Sequence, residues 1–315
     1  MADKPNQLIR HATIRQLQVF EAIARHKSFT RAAEELHLTQ PTVSMQVKKL
    51  ADALEVDLFE LIGRKVFLTQ AGETLYDAAK DILEKLEVSE DHIKNQKGFS
   101  GGRVKFSVVS SAQYFVPKVI YDFVERYPEV KVAMNVGNKE QLLERIQKNE
   151  DDFYILGEPS DALNIESFQL APNPLVFIAH KSNPLAKQSR IKLSELANVP
   201  FLMREKGSGK RAQVEKAFQK QNFNPNIKMI LGGNELVRLG VLQNLGVAVA
   251  SLATVINYVE QGELVILDVE GFPIHRHWYL VTSKGKMLSI AAQKLIELLK
   301  IEIKSLNKKI EQYLP

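Results

Sequence analysis

The sequence predicts a multidomain chain of two unlike parts. The first is an all-α segment built on a winged helix-turn-helix and continued by a long linker helix, and the second is an α/β part made of two lobes. Three observations carry this. Two short amphipathic periods with a break between them fill Ser28 to Leu54 and run directly into a basic hairpin. A heptad-like apolar seam follows from Leu75 to Ile93. Beyond a glycine-rich stretch at 98–102, strand and helix patterns alternate to the end of the chain.

Thr13 opens the first helix, Gln16 completes a capping box, and Leu17, Phe20, Ile23 and Ala24 form the buried face of a supporting element. Phe29, Ala32, Ala33 and Leu36 then repeat at one-face helical spacing, with Ser28 or Thr30 as the cap. His37, Leu38 and Thr39 interrupt that face. A second period, Val43, Val47, Leu50 and Leu54, follows with Pro41 in its first turn, where a missing N–H costs little. This is the plan of two crossed helices joined by a short turn. The amide, hydroxyl and cationic side chains of the second helix, Gln40, Thr42, Ser44, Gln46 and Lys48, suit base edges and phosphates in a major groove. Small helical hairpins are common, so the next stretch decides. Asp57 to Thr69 sets Leu58-Phe59 and Val66-Phe67-Leu68 around Gly63-Arg64-Lys65, a hairpin with two cations at its tip. An isolated Arg-Lys pair is usually a solvated turn. Helix, turn, helix and basic hairpin in direct succession read instead as a DNA-binding module whose wing lies on phosphates or in a minor groove.

Thr69 can cap a helix running to about Lys97, about 42 Å of it at 1.5 Å per residue. Leu75, Ile82 and Ser89 alternate along it with Ala79, Leu86 and Ile93. No neighbouring segment is long enough to cover such a face, so dimerisation is preferred to packing within one domain. Gly98, Ser100, Gly101 and Gly102 make the clearest linker. After it come strands at 103–109, 130–136, 153–156, 175–180, 200–203, 227–231, 247–250 and 277–282, and helices at 112–127, 139–148, 208–221, 235–244 and 289–306. This alternation predicts parallel sheets with helices on both faces, in two small lobes.

In such sheets ligands settle at the carboxyl ends of strands, against helix N-termini that offer free N–H groups. Four corners here carry suitable residues: Ser110-Ser111, Gly137-Asn138, Arg204 to Lys210 (with Ser208 and Gly209), and Gly232-Gly233-Asn234. Each alone reads as a plain helix cap. Together they predict a site for a small anion, with Arg204 and Lys210 as counter-ions. The Gly-Ser-Gly-Lys run is not a phosphate-binding P-loop, because Arg211 follows Lys210 and position 204 is not glycine. His275 and His277 face one side of a strand without a carboxylate or cysteine partner, which argues against a metal. No catalytic spacing is present, and the single Trp278 reads as core.

The chain has no cysteine, which rules out disulfides and thiolate metal sites. Its 315 residues, 45% hydrophobic and 25% charged, suit two or three soluble domains, and no apolar run approaches a membrane span. The net charge of +5 is not concentrated at the DNA-binding segment: residues 1–69 hold 10 Lys+Arg against 8 Asp+Glu. DNA affinity must therefore come from a few placed cations and from doubling the sites by oligomerisation.

Residues Ile14 to Gly72 resemble the N-terminal domain of LysR-type transcriptional regulators. The resemblance rests on the leading Leu-x-x-Phe helix, Ser-Phe-Thr-Arg-Ala-Ala, Thr-Gln-Pro at the second helix, Leu-Phe, and the closing Leu-Thr-x-Ala-Gly. It implies DNA contacts by Arg31, Thr39, Gln40, Pro41, Thr42, Ser44, Gln46 and Lys48, with Arg64 and Lys65 on the wing. Met45, Glu55 and Leu61 differ from the usual Arg, Gly and Arg, which moves the expected base readout onto Gln40, Thr42 and Ser44. It further implies an effector domain like a periplasmic binding protein, crossed twice between lobes at Pro172-Asn173-Pro174 and Gly271-Phe272-Pro273. The expected domains are then 1–69 for DNA binding, 70–100 for the dimerisation helix and hinge, and 101–315 for the effector, with lobe I at 101–171 and 273–315 and lobe II at 172–272. Ser110 and Asn138 align with effector-touching positions.

The stretches YFVPKVIYDFVERYPEV, VGNKEQLLERI, ILGEPS and VEGFPIHRHWYLV resemble the branch of the family that controls RuBisCO operons, although Glu158 and Ser251 depart from it. That branch responds to phosphorylated or nucleotide metabolites, so the expected effector is a phosphorylated metabolite, a nucleotide or a carboxylate. The expectation is a cytoplasmic transcription factor, a homodimer through the long helix and a homotetramer on bent DNA. RNA polymerase is a candidate partner, and no cofactor, membrane or enzymatic role is expected. The rival is a binding protein or enzyme of the α/β half with an N-terminal assembly module.

Overall fold

A computed structural model describes residues 12–63, 65–95, 99, 101–159 and 164–313. The chain divides into two compact units, Met1–Lys94 and Asn95–Pro315.

In the first unit, α1 (Ile14–His26) begins with the predicted capping box: Thr13 accepts from the Gln16 N–H, and the Gln16 side chain accepts from the Thr13 N–H. Ser28 caps α2 (Phe29–Glu35), which ends with His37 in the left-handed region and the Leu38 N–H bonded to the Ala33 carbonyl. Thr39 caps α3 (Gln40–Leu54) by accepting from the Thr42 N–H. The antiparallel hairpin β1 (Phe59–Ile62) and β2 (Lys65–Leu68) forms the wing. Phe20, Ile23, Ala32, Val43, Leu50 and Leu58 join the three helices and the wing base in one buried cluster. Thr69 then accepts from the Gly72 N–H and starts α4 (Gln70–Lys94), 25 residues or about 37 Å. A Cβ at Gly72 would lie 2.1 Å from the Leu58 carbonyl oxygen, so only glycine lets α4 start against the wing. Leu75 and Ala79 are buried in the cluster, whereas Ile82, Leu86 and Ile93 are exposed. The expected end of this helix at Lys97, and Gly98 and Ser100 of the linker, lie outside the described residues.

The second unit holds two sheets. One has order β4-β3-β5-β12-β6, from β3 (Gly102–Val109), β4 (Val130–Gly137), β5 (Phe153–Leu156), β6 (Ile165–Pro172) and β12 (His277–Ser283). Its helices are α5 (Val116–Arg126), α6 (Lys139–Gln147) and α10 (Ile290–Glu311). The other combines β10-β7-β11 with the β8-β9 pair, drawn from β7 (Leu175–His180), β8 (Pro200–Arg204), β9 (Asn226–Leu231), β10 (Ala248–Ser251) and β11 (Leu264–Leu267). A parallel bridge from Phe201 to Val247 unites the two groups. Its helices are α7 (Gly209–Lys220), α8 (Asn234–Leu242) and α9 (Ile256–Glu260). The two crossover segments run side by side, with reciprocal Leu175 and Ile274 backbone bonds and the Asn173 N–H donating to the Arg276 carbonyl at 2.7 Å.

Three expectations are corrected. The sheets are mixed rather than parallel: β12 runs antiparallel to β5 and β6, and β7 antiparallel to β10 and β11, because the chain returns through each sheet after crossing lobes. The single helix expected at 112–127 is a 3-10 turn (Ala112–Tyr114) followed by α5, with Pro117 in the first turn of α5. The strands β6 and β11 and the helix α9 were not foreseen. β6 exposes Glu166 to Gln169 and has no clean alternation, and β11 is a four-residue apolar run that periodicity cannot assign. Trp278 is fully buried, as expected, and donates its indole N–H to the Ser111 hydroxyl at 3.0 Å.

Candidate functional site

The first unit presents the predicted DNA-facing residues together. Arg31, Gln40, Pro41, Lys48 and Lys65 are exposed, and Thr42, Ser44 and Gln46 half-buried, around the start of α3 and the wing. Thr39, also exposed, is the cap of α3 and shares a 2.8 Å hydroxyl contact with Thr42. The Gln40 amide donates to the Ser44 hydroxyl at 2.9 Å. Arg64 lies outside the described residues. Leu61 and Ile62 stand exposed on the wing.

All eight residues expected to bind effector, Ser110, Ser111, Asn138, Arg204, Ser208, Gly209, Lys210 and Asn234, line one cavity between the two sheets of the second unit. It holds about 620 Å³ of unfilled space, solvent at its mouth included. The N-termini of α6, α7 and α8 open onto it. Asn138 and Ser208 are helix caps as well, accepting from the N–H groups of Gln141 and Arg211. The plain structural role and the cavity-lining position therefore coincide.

Arg204 is 4% exposed, paired with Glu205 through two 2.6 Å bonds, and donates to the Asn234 side-chain oxygen. Burial works to raise the Glu205 pKa, but Arg204 and the Gly233 N–H hold it down at about 2. The Asn234 amide then donates to the Ser110 hydroxyl at 3.0 Å, and the Tyr114 hydroxyl to Glu235 at 2.9 Å, so α8 ties one sheet's layer to the other. Arg204 is therefore a neutralised scaffold, not the free counter-ion that the sequence reading expected.

The free cations are elsewhere. Lys210 and Arg276 both line the cavity, and neither side chain makes a hydrogen bond or close ion pair among the described residues. Burial, reinforced by the charges of Arg204 and Arg276, pushes the Lys210 ammonium down to about 7. Burial holds the Arg276 guanidinium down at about 10, partly offset by Glu158. Burial and Arg276 also lower Lys139, which donates to the Glu158 carbonyl at 2.9 Å. Asn173, 1% exposed, gives its oxygen to the Ser251 hydroxyl and leaves its Nδ2 without a partner. A Cβ at Gly157 would lie 2.5 Å from Arg276 Nη2, so the glycine makes room for the guanidinium. A buried donor without an acceptor, as Asn173 Nδ2 is, is costly, and an anion would satisfy it together with the two cations.

Sequence reasoning missed Lys139, Gly157, Asn173 and Arg276. Arg276 stands between the two histidines weighed as metal ligands, and Asn173 inside a segment read only as a crossover. The usable signal was position: both crossovers must border any space between two lobes.

The chain matches two family models, "Bacterial regulatory helix-turn-helix protein, lysR family" over residues 14–73 and "LysR substrate binding domain" over residues 97–303. Relatives include the HTH-type transcriptional activator CmpR of Synechocystis sp., 42% identical over 92% of this chain and 96% of the relative. Another is a RuBisCO operon transcriptional regulator of Acidithiobacillus ferrooxidans, 43% identical over 92% of this chain and 94% of the relative. Among solved structures, the regulatory domain of CcmR from Synechocystis PCC6803 in complex with 2-PG is 36% identical, with a TM-score of 0.61 over 66% of this chain and 98% of that one.

Proposed function

The chain belongs to the LysR family of bacterial helix-turn-helix regulators, and from that premise we propose how its parts divide the work. It is a transcriptional regulator rather than an enzyme, as its relatives are. Residues 1–69 read duplex DNA, with the N-terminal half of α3 in the major groove and the wing on the backbone. Residues 70–100 pair two copies through the exposed distal face of α4, and pairs of dimers make the tetramer that engages two sites. Residues 101–315 bind a small anion in the cavity. It acts in the cytoplasm; among the described residues no helix is long and apolar enough to cross a membrane. The names of its relatives favour a RuBisCO operon as a target, and RNA polymerase is the partner a transcriptional regulator would act upon.

One observation carries the effector reading: Lys210, Arg276 and the Asn173 amide meet in a single cavity with no acceptor of their own. Two cations without a protein partner and one buried unsatisfied amide beside helix N-termini favour a phosphate or carboxylate over a neutral ligand. The CcmR complex with 2-PG, a small anionic metabolite, supports the same class. For the anion to regulate, it must bind two arrangements of the protein with different affinity. The test is calorimetry of the full chain against small phosphorylated and carboxylate compounds, followed by a DNA shift assay with each binder. Saturable binding that is lost in Arg276→Gln and that alters the DNA footprint supports the reading. Binding by neutral sugars alone would reject it.

A further inference from the structure

Lys210 is placed where an ammonium is least welcome. It is the second residue of α7, whose first turn holds no acidic side chain, and the partial positive charge of a helix N-terminus opposes a cation there and favours an anion. Two charged neighbours add to this, Arg204 at the end of β8 and Arg276 just before β12, and Glu205, committed to Arg204, opposes them. Of the other cations nearby, Arg211 on α7 is paired with Glu215 and Lys139 of α6 donates to the Glu158 carbonyl. The Lys210 nitrogen has no hydrogen-bond partner among the described residues, and the nine-tenths-buried Asn173 carries an unpartnered N–H₂ in the same cavity.

We propose that Lys210 is a carbamylation site, where dissolved carbon dioxide adds to the ε-amine and the resulting carbamate occupies the anion cavity against the effector. The nitrogen lone pair attacks the carbon of CO₂, an N–C bond forms, one C=O π pair moves to oxygen, and the nitrogen releases a proton to solvent. No oxidant or other reactant is needed. The product puts an anion in place of the amine at the N-terminal end of α7, beside the Arg276 guanidinium. The field that disfavours the ammonium is the field that stabilises the carbamate. Because the ammonium is pushed down to about 7, the reactive free amine predominates at pH 8. The proposal rests on the cavity being an anion site and adds a second input to it.

The test uses the full chain at pH 8 in CO₂-free buffer and in ¹³C-labelled bicarbonate. Carbamate is detected by carbon NMR, trapped with a trialkyloxonium reagent and mapped by peptide mass spectrometry. The expected result is an adduct on the Lys210 peptide, lost in Lys210→Met and kept in Lys139→Met. The CO₂ level that half-fills it should raise the apparent Kd of inorganic phosphate about twofold, as mutually exclusive ligands require. Phosphate binding with no adduct at Lys210, or an adduct confined to other lysines, overturns carbamylation and leaves the anion site standing. An adduct with unchanged phosphate affinity overturns the exclusion. Failure of phosphate and every other tested anion to bind in CO₂-free buffer overturns the anion reading, and the competition with it.

Discussion

Gly157→Ala separates the anion site from the stability of the fold. The added methyl would lie 2.5 Å from Arg276 Nη2 and 3.5 Å from its Cζ, with nothing else within 4 Å. Only the far end of a flexible side chain must move, so the thermal midpoint should stay within about 2 °C of the parent, less than about 1 kcal/mol for a domain of this size. The displaced guanidinium, however, loses its place in the cavity. A hydrogen bond involving a charged group contributes about 1.5–3 kcal/mol, and 1.4 kcal/mol is tenfold in Kd, so anion binding should weaken about ten- to a hundredfold. Calorimetry of the anion that binds the parent most tightly measures this. Arg276→Gln should lose a similar amount, and the double variant little more, because both remove one interaction. An unchanged Kd in Gly157→Ala, or losses that add in the double variant, would refute the placement of Arg276 as an anion ligand.

Three further outcomes are expected. Anion affinity should fall as pH rises above 7, by up to about tenfold per unit, because the free Lys210 ammonium loses its proton near 7 while a bound anion holds it and binding then requires proton uptake; Lys210→Arg should flatten that profile in calorimetry at pH 7 to 9. The same depressed pKa means that Lys210 costs the ligand-free fold stability below about 7, and that this cost diminishes as pH rises toward the unfolded value of about 10.4. Leu86→Glu with Ile93→Glu, which places charges on the exposed distal face of α4, should shift the protein to lower mass in sedimentation without lowering the midpoint of the effector domain. Lys65→Ala should weaken DNA binding similarly for all sequences and reduce the slope of log K against log salt by about 1, whereas Gln40→Ala should relax sequence preference; a Lys65→Ala slope equal to the parent's would remove the wing from the backbone.

The anion cavity shows where reading from sequence succeeded and where it failed. Each of the four strand-to-helix corners was visible, because glycine, serine and asparagine ahead of an amphipathic period mark helix starts. Their convergence on one cavity was also anticipated from the rule that ligands sit at strand ends. The electrostatic roles were not. The sequence predicts Arg204 as a counter-ion, yet its charge is spent on Glu205, the next residue, through two short bonds. The unspent charges belong to Lys210, which was named, and to Arg276, which was not. Among the strands, a short apolar run such as β11 or a half-exposed edge strand such as β6 carries too little period to be recognised.

Local chemistry determined the caps at Thr13, Ser28, Thr39, Ser208 and Ser289, the crossed helices and the wing, because each depends on residues within a few positions of one another. It also determined that the chain divides near the glycine-rich linker. Only the tertiary structure decided strand direction and charge state. Antiparallel pairing of β12 depends on segments more than a hundred residues apart, and whether a lysine is charged depends on burial and neighbours that no local pattern encodes.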